Sequence, residues 1–241
     1  MGLLSLVTTL VVALAVILTL GSKRAYLRIG PFLMMLFSRI SCRILGIRIE
    51  RTGDLPPPGP CFVTPNHWGY IDVFVLGSQC RSHFVSRADV ADWPVMGFFA
   101  RAAGTLFIRR EVKRDAARVG DALEHHLRAR CRVTAFLEGG TGRGTEVRPF
   151  KSSLLQAAVA TGCPCVPAGF VYGLPRDPGV DPAFAVGWID GGFIEHAWKL
   201  LRLRRIQVRL VYGAPRTGTD RKALARLLED DVRRAVTAAL G

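Results

Sequence analysis

Short apolar runs alternate with helical patterns over most of this chain, and this alternation restricts its fold more than any other feature. The runs predict strands at Ile47–Arg51, Cys61–Thr64, His83–Ser86, Arg132–Leu137, Cys165–Tyr172, Phe184–Trp188 and Ile206–Tyr212. The patterns between them predict helices at Ile71–Ser78, Val95–Ala103, Lys113–Arg130, Lys151–Ala160, Phe193–Leu201 and Asp220–Leu240. Strands that alternate with helices are typical of a largely parallel sheet. We therefore predict a single α/β domain over residues 46–241, with such a sheet flanked by helices.

The first 45 residues form a different kind of segment. Leu3–Leu20 contains no charged residue, and as a helix it covers about 27 Å, close to the thickness of a bilayer core. No basic residue precedes this run and no small-residue cleavage site is evident, so a retained membrane anchor is favoured over a cleaved signal peptide. Lys23, Arg24 and Arg28 follow it, which predicts that the domain lies on the cytoplasmic face of a membrane.

A second apolar segment, Pro31–Ile47, carries Arg39 and Arg43 four residues apart. It fits an interfacial helix whose arginines reach lipid phosphates. It fits equally well an ordinary amphipathic helix packed on the domain. Residues 1–45 are therefore predicted to form a membrane-associated segment of one apolar and one amphipathic helix.

The composition combines a strong positive charge with high apolarity. The 33 Lys and Arg residues outnumber the 19 Asp and Glu residues, the net charge is +14, and 49% of the residues are hydrophobic. Such a charge implies an anionic partner. Because no nucleic-acid-binding module is visible, we expect an anionic membrane surface and no nucleic acid. The six cysteines follow no zinc-ligand spacing, so they are interpreted as core residues in a reducing compartment, and no metal site is predicted.

A histidine and an aspartate lie five residues apart where a predicted strand meets a predicted helix. His67 follows the apolar run at Cys61–Thr64, and Asp72 stands at the start of the next helix. Gly69 between them allows the sharp bend that would bring the two side chains together. An aspartate bonded to one imidazole nitrogen leaves the other nitrogen as a general base for a hydroxyl proton. The alternative is a turn histidine beside a carboxylate that faces the helix dipole.

Two further segments place arginine after a predicted strand. Gly104–Arg110 joins a turn glycine to a short apolar strand that ends in two arginines, and Arg87 follows the strand at His83–Ser86. Arginine in this position can hold a phosphate through two hydrogen bonds. Solvated charges are the alternative interpretation.

A glycine-rich loop, Glu138–Gly144, follows another predicted strand. Its glycines allow close backbone approach to an anion or a carbonyl group. Lys151 lies near a predicted helix start, where a cation opposes the helix dipole, so it fits an anion site better than it fits helix stability. Glu138 is suited to order the site arginines or to position a hydroxyl. The simpler interpretation, that it pairs with one nearby arginine, is compatible with both roles.

Four segments occur in the order and spacing of the sequence blocks of a known family. They are His67–Asp72, Gly104–Arg110, Phe136–Thr141 and Val166–Pro167. Together they resemble the glycerolipid acyltransferase family, which contains bacterial 1-acylglycerol-3-phosphate acyltransferases and has blocks that read approximately HxxxxD, GxxFIxR, FPEGT and an apolar segment with proline. The segment Pro149–Leu154 also resembles bacterial members.

The third block departs from the family pattern. Leu137 replaces the usual proline, and Gly140 stands where the first threonine is common, with Thr141 next. These changes bear on the acceptor more than on the chemistry, since the loop loses a hydroxyl that could contact a head group.

The resemblance implies a reaction and two catalytic residues. His67 would be the general base on the acceptor hydroxyl, and Asp72 would orient it. The activated oxygen would attack the thioester of acyl-CoA or acyl carrier protein, with no metal or further cofactor. The resemblance also implies substrate-binding residues: Arg87, Arg110 and Lys151 for the acceptor's phosphate, and Glu138, Gly139, Gly140 and Thr141 for the shape of that site.

The expected acceptor is a lysophospholipid, most simply 1-acylglycerol-3-phosphate, with phosphatidic acid as the product. A lyso-aminolipid such as lyso-ornithine lipid is an alternative acceptor, which the altered third block leaves open. Two other classes also remain: a non-catalytic membrane lipid-binding protein, and a thioesterase that uses water as the acceptor.

Overall fold

A computed structural model describes residues 23–93, 96–109, 112–188 and 192–241. Within these residues, seven strands form one sheet in the order β1-β7-β6-β2-β5-β3-β4. The strands are β1 Ile47–Thr52, β2 Phe62–Pro65, β3 His83–Arg87, β4 Leu106–Ile108, β5 Val133–Thr134, β6 Cys165–Gly173 and β7 Ile206–Tyr212. The β6–β7 pair is antiparallel, and the other paired strands are parallel. The predicted α/β fold with a largely parallel sheet is confirmed.

Helices cover both faces of the sheet. The helices are α1 Lys23–Ile44, α2 Ile71–Gln79, α3 Met96–Ala102, α4 Lys113–Arg128, α5 Gln156–Thr161, α6 Pro182–Ala185, α7 Phe193–Arg202 and α8 Arg221–Leu240. Short 3₁₀ helices span Ala88–Asp92 and Ser152–Leu155. Successive strand residues point to opposite faces, so Phe84 joins the apolar core that contains α1 and α2 residues while Val85 joins the core under α4 and α5.

Helix α1 packs on the domain through one face. Leu33, Met34 and Cys42 are buried, whereas Arg39 and Arg43 are exposed. Arg39 Nε also donates a hydrogen bond to the Ser78 carbonyl at 3.1 Å, so this arginine is tied to α2.

The predicted apolar anchor, Leu3–Leu20, lies outside the described residues, and the division of the chain at residue 45 stays a prediction. In the part of the chain that the structure describes, we find no helix long and apolar enough to cross a membrane.

One predicted strand is wrong. The segment Phe184–Trp188 contains no strand, because Pro182–Ala185 forms a short helix. Asp181 caps that helix by accepting a hydrogen bond from the Ala183 N–H, and Pro182 occupies its start. A proline is well suited to the first helical position, since the hydrogen bond that its nitrogen cannot donate is unused there.

Candidate active site

The corner between β2 and α2 is fixed by Asn66, which is completely buried. Its side-chain nitrogen donates to the carbonyls of Gly144, at 2.8 Å, and Phe170, at 2.9 Å. Its side-chain oxygen accepts from the Phe170 N–H at 3.0 Å. These three bonds tie the corner to β6 and to the glycine-rich loop, so the residue that follows, His67, is held in one place.

His67 and Asp72 form the predicted pair. His67 Nδ1 lies 2.7 Å from Asp72 Oδ2. The same oxygen accepts hydrogen bonds from the N–H groups of Trp68, at 2.7 Å, and Gly69, at 3.0 Å. The Tyr172 hydroxyl donates to the other oxygen, Oδ1, at 2.7 Å. The buried Asp72 carboxylate thus accepts hydrogen bonds from four donors, which fix its position.

This arrangement determines the protonation of the imidazole. Because a carboxylate oxygen accepts, the proton of neutral His67 lies on Nδ1, and Nε2 carries the lone pair. Burial, and then the charge of Asp72, raises the pKa of the Tyr172 hydroxyl well above its ordinary value, so Tyr172 remains a donor. The ring of His67 also stacks on Phe136, with centroids 3.8 Å apart and planes 17° apart. His67 is therefore oriented by Asp72 at its edge and by Phe136 at its face.

Glu138 supports this corner from the loop after β5. Its Oε1 accepts from the His67 N–H at 2.9 Å, and its Oε2 accepts from the Arg148 N–H at 3.2 Å. Arg148 Nε also lies 3.6 Å from Oε2. Burial raises the pKa of the Glu138 carboxyl to about 7, and the two backbone hydrogen bonds offset part of that rise. Both oxygens of Glu138 thus accept hydrogen bonds from backbone N–H groups. Arg148 is the nearby arginine that the sequence interpretation of Glu138 as an ion-pair partner requires.

The glycine-rich loop brings two cations close to its backbone. Gly139 has φ +75°, and a Cβ there would lie 2.8 Å from Lys151 Nζ. A Cβ at Gly140 would lie 2.8 Å from Arg148 Nη2. The Thr141 hydroxyl donates to the Trp188 carbonyl at 2.7 Å, so it holds the loop against a neighbouring segment. The small residues of the loop therefore leave room for Lys151 and Arg148 beside it.

The predicted arginines have different outcomes. Arg87, at the end of β3, makes two hydrogen bonds to Asp89, from Nε at 2.8 Å and from Nη2 at 2.6 Å. Both side chains are largely exposed. Because β2, β5 and β3 are neighbouring parallel strands, their carboxyl ends bring His67, Glu138 and Arg87 to the same edge of the sheet. Arg110 lies outside the described residues.

An apolar cavity opens beside His67. Its empty space is about 980 Å³, counting the open mouth. Helix α1 contributes Met34 and Phe37 to the wall, and α3 contributes Met96, Phe99 and Ala100. The polar part of the wall contains His67, Tyr70, Ser86, Arg87, Thr105, Gly140 and Thr141. The cavity thus joins the His67–Asp72 pair to a space that suits a hydrocarbon chain.

Three contributors to the site were not predicted. Tyr172 and Asn66 bond across about a hundred residues of sequence, and no local pattern marks them. Arg148 directly precedes the Pro149–Leu154 segment that resembles bacterial acyltransferases, so its position three residues before Lys151 was the available signal. Among the described residues we find no group of three or more His, Cys, Asp or Glu side chains that could hold a metal ion.

Comparison with known proteins relates this chain to one protein family. The family model described as Acyltransferase matches residues 46–171, which include all four sequence blocks. Among solved structures, the 1-acyl-sn-glycerophosphate acyltransferase from Thermotoga maritima superposes over 100% of this chain and 98% of its own, with a TM-score of 0.63 and 17% identity. At that identity the likeness concerns the fold alone.

Curated relatives fall into two named groups. The lyso-ornithine lipid O-acyltransferase of Rhodobacter capsulatus is 36% identical over 211 residues, which cover 84% of this chain and 75% of that one. The protein of the same name from Brucella abortus is 32% identical over 219 residues, 85% of this chain and 81% of that one. The 1-acyl-sn-glycerol-3-phosphate acyltransferase of Neisseria meningitidis serogroup B is 26% identical over 195 residues, 80% of this chain and 75% of that one.

Proposed function

Because the chain belongs to the acyltransferase family, we propose that it transfers a fatty acyl chain from a thioester to the hydroxyl of a lysolipid at a membrane surface. The observation that carries this proposal is the position of His67: its Nδ1 is bonded to buried Asp72, and its ring lines an apolar cavity. A general base beside a space for a hydrocarbon chain suits acyl transfer to a hydroxyl.

In the proposed reaction, His67 Nε2 accepts the proton of the acceptor hydroxyl as the oxygen attacks the thioester carbonyl. Asp72 stabilises the imidazolium that forms. The carbon–sulfur bond then breaks, and the imidazolium returns the proton to the leaving thiolate. The products are an ester and a free thiol, and the base is restored. The acyl chain of the donor occupies the cavity between α1 and α3.

We propose lyso-ornithine lipid as the first acceptor to test. The relatives that are 32% and 36% identical carry that name. The head group of this lipid has a carboxylate and an ammonium group. The bonded Arg87–Asp89 pair presents both signs of charge, and Arg87 lines the cavity. Such a pair complements a zwitterion.

1-Acylglycerol-3-phosphate is the second candidate acceptor. Lys151 and Arg148 lie directly against the glycine-rich loop beside Glu138, and two cations favour a phosphate. In this proposal Arg87 and Arg110 also contribute to phosphate binding, and Gly139, Gly140 and Thr141 shape the loop. The donor is acyl-CoA or acyl carrier protein, and the domain works on the cytoplasmic face of the membrane, without nucleic acid.

The test is acyl transfer by the purified full chain in detergent. Radiolabelled acyl-CoA or acyl carrier protein is supplied with lyso-ornithine lipid, with 1-acylglycerol-3-phosphate, or with no acceptor. We expect label in one acceptor with wild-type protein, and a loss of roughly 10² to 10⁴ in rate for His67→Ala.

Three results would contradict the proposal. Equal rates for wild type and His67→Ala would remove His67 from the chemistry. Release of free fatty acid without transfer would indicate a thioesterase. No turnover with either donor, in protein with a normal circular dichroism spectrum, would indicate a lipid-binding protein without catalysis.

A further inference from the structure

Helix α7, Phe193–Arg202, has an exposed apolar stripe. Ile194 is 72% exposed, Trp198 is 61% exposed and Leu201 is 41% exposed. At 100° per residue, positions 194, 198 and 201 fall within an arc of about 60° on the helix surface. Single exposed apolar side chains are ordinary, but a contiguous stripe that includes tryptophan marks an interaction surface.

The opposite face of α7 is firmly packed, so the stripe is not a feature of a loosely held helix. Leu200 is 1% exposed. His196 Nε2 donates to the Gly187 carbonyl at 3.2 Å, and its Nδ1 accepts from the Tyr70 hydroxyl at 2.9 Å. Tyr70 lines the cavity and lies three residues after His67. The exposed stripe is therefore rigidly connected to the catalytic corner.

The start of α7 also lies at the cavity wall. The ring of Phe193 is 5.0 Å from the ring of Tyr70 and 5.0 Å from the ring of Trp93, measured between centroids. Tyr70 and Trp93 both line the cavity. Whatever covers the stripe is thus brought next to the space that the acyl chain occupies in the proposed reaction.

Cations border the stripe at its C-terminal end. They are Lys199 and Arg202 in the helix, and Arg204 and Arg205 just after it. Lys199 pairs with Glu195 at 2.8 Å, whereas Arg202, Arg204 and Arg205 form no ion pair with another described residue. An apolar stripe with basic residues beside it is the chemical pattern of a helix that lies in the surface of an anionic bilayer.

We propose that the α7 stripe, Ile194, Trp198 and Leu201, docks on an anionic lipid bilayer. The stripe enters the boundary between head groups and acyl chains, and the neighbouring arginines contact lipid phosphates. Docking in this way turns the Tyr70–Trp93 side of the cavity toward the membrane, from which the lysolipid acceptor would enter. The inference rests on the proposed lipid substrates. The rival occupants of the stripe are residues 1–22 of this chain and a second copy of the protein.

The first experiment places Trp198 relative to the lipid. The full chain is mixed with phosphatidylcholine vesicles that contain 30% phosphatidylglycerol, with bromine on the acyl chains of the lipid as the quencher. The chain has four tryptophans, so wild type is compared with Trp198→Phe, which keeps an aromatic ring in the stripe. We expect bromine to quench a component of the wild-type fluorescence that Trp198→Phe lacks. Equal quenching of both proteins would overturn the proposal, as would a Trp198 component already blue-shifted without lipid, which a protein occupant of the stripe would cause.

The second experiment measures activity with the triple variant Ile194→Ser, Trp198→Ser and Leu201→Ser. With the acceptor embedded in the same vesicles, we expect the rate to fall at least about tenfold, because three large apolar side chains no longer enter the lipid. With a short-chain acceptor dissolved as monomers, we expect a rate within about twofold of wild type. The matched control is Leu227→Ser with Leu240→Ser, two exposed leucines on α8, which should change neither rate.

The two acceptors separate the proposals. If wild-type protein transfers no acyl group to the dissolved acceptor, the proposed function fails. If it does, and the triple variant works as well as wild type on vesicles, the docking inference fails alone. Equal losses on vesicles and on the dissolved acceptor would also overturn docking, since they would indicate damage to the active site.

Discussion

At the scale of single residues, Asp72 is held more tightly than orientation of His67 alone requires. Its carboxylate accepts hydrogen bonds from Trp68, Gly69 and Tyr172 in addition to the bond with His67. Asp72→Asn keeps the size of the side chain but removes the negative charge that stabilises the imidazolium. We expect kcat to fall roughly 10²- to 10⁴-fold, as measured by acyl transfer in detergent.

Tyr172→Phe is the matched control for that variant. It removes one donor to the same carboxylate and leaves the charge in place, so we expect a loss of less than about tenfold in kcat. Similar losses in the two variants would mean that Asp72 acts only by holding the loop in shape.

Glu138 should make stability depend on pH. Its pKa rises from an ordinary 4.5 to about 7 on folding, chiefly through burial. Between pH 4.5 and pH 7 the Glu138 carboxyl is mostly protonated in the folded protein and mostly ionised in the unfolded chain. The contribution of protonated Glu138 to the free energy of unfolding is therefore complete below pH 4.5 and is lost as pH rises through 7. The loss amounts to at most about 3 kcal/mol in the free energy of unfolding. It is measured by urea denaturation between pH 4.5 and pH 8.

Comparison with Glu138→Gln isolates this effect from other titrations. Burial lowers the pKa of His83, His126 and His196, which makes stability change with pH in the opposite sense. These histidines are the same in both proteins, so the difference in unfolding free energy between wild type and variant should favour wild type most at low pH. A difference that stays constant over the range would contradict the prediction.

Asp89 should distinguish the two candidate acceptors. Asp89→Asn removes the negative partner of Arg87. We expect the KM for lyso-ornithine lipid to rise up to about fivefold, because an exposed charge contributes about 1 kcal/mol at most. The KM for 1-acylglycerol-3-phosphate should fall, since the negative charge of Asp89 beside Arg87 no longer repels the phosphate. Parallel changes for the two acceptors would remove this pair from head-group recognition.

At the scale of elements, the crossing of α1 and α2 depends on Gly77. A Cβ at Gly77 would lie 2.4 Å from Ser38 Oγ and 3.2 Å from Ser38 Cβ, whereas a Cβ at Gly120 in α4 would meet nothing within 4 Å. Gly77→Ala should therefore destabilise the protein by about 1–3 kcal/mol. Gly120→Ala should stabilise it by about 0.5–1 kcal/mol, because alanine favours the helix.

Urea denaturation of the two glycine variants tests this contact. Both substitutions are the same and both lie inside helices, so intrinsic helix preference cannot produce opposite signs. If Gly77→Ala were also stabilising, the two helices would not be in the close contact described.

Most elements could be predicted because each has a local signal. The wrong strand at Phe184–Trp188 shows where such a signal misleads. Its apolar alternation resembles a strand, but Asp181 and Pro182 in front of it are a cap and a first helical residue. The predicted strand Arg132–Leu137 is likewise reduced to Val133–Thr134. Beyond it, Ala135 still donates to the Val63 carbonyl at 3.1 Å, but the chain then turns toward Glu138.

At the scale of the whole molecule, the His67–Asp72 pair and the glycine-rich loop could be predicted because they follow strands whose carboxyl ends meet. The residues that hold this pair in place could not be predicted. Tyr172 reaches Asp72 from the far end of β6, and this contact depends on the order of the strands. That order is a property of the complete sheet, and no local periodicity contains it.

The cavity beside His67 is another property of the complete molecule, since α1, α2, α3 and the sheet edge each supply part of its wall. Ala100 in α3 is 8% exposed and faces this space. Ala100→Phe should shorten the cavity, so we expect kcat/KM to fall at least about tenfold for a 16-carbon donor and by less than about twofold for an 8-carbon donor. Each buried methylene is worth about 0.8 kcal/mol, so excluding two of them is enough.

The control for the cavity variant is Phe98→Ala. Phe98 lies on the same helix, is 46% exposed and is absent from the cavity wall, so chain-length preference should not change. If Ala100→Phe does not fold, Met34→Ala on the opposite wall enlarges the cavity and should shift preference toward longer donors. If neither Ala100→Phe nor Met34→Ala changes the preference for donor chain length, the acyl chain binds elsewhere. The cavity beside His67 would then need another ligand.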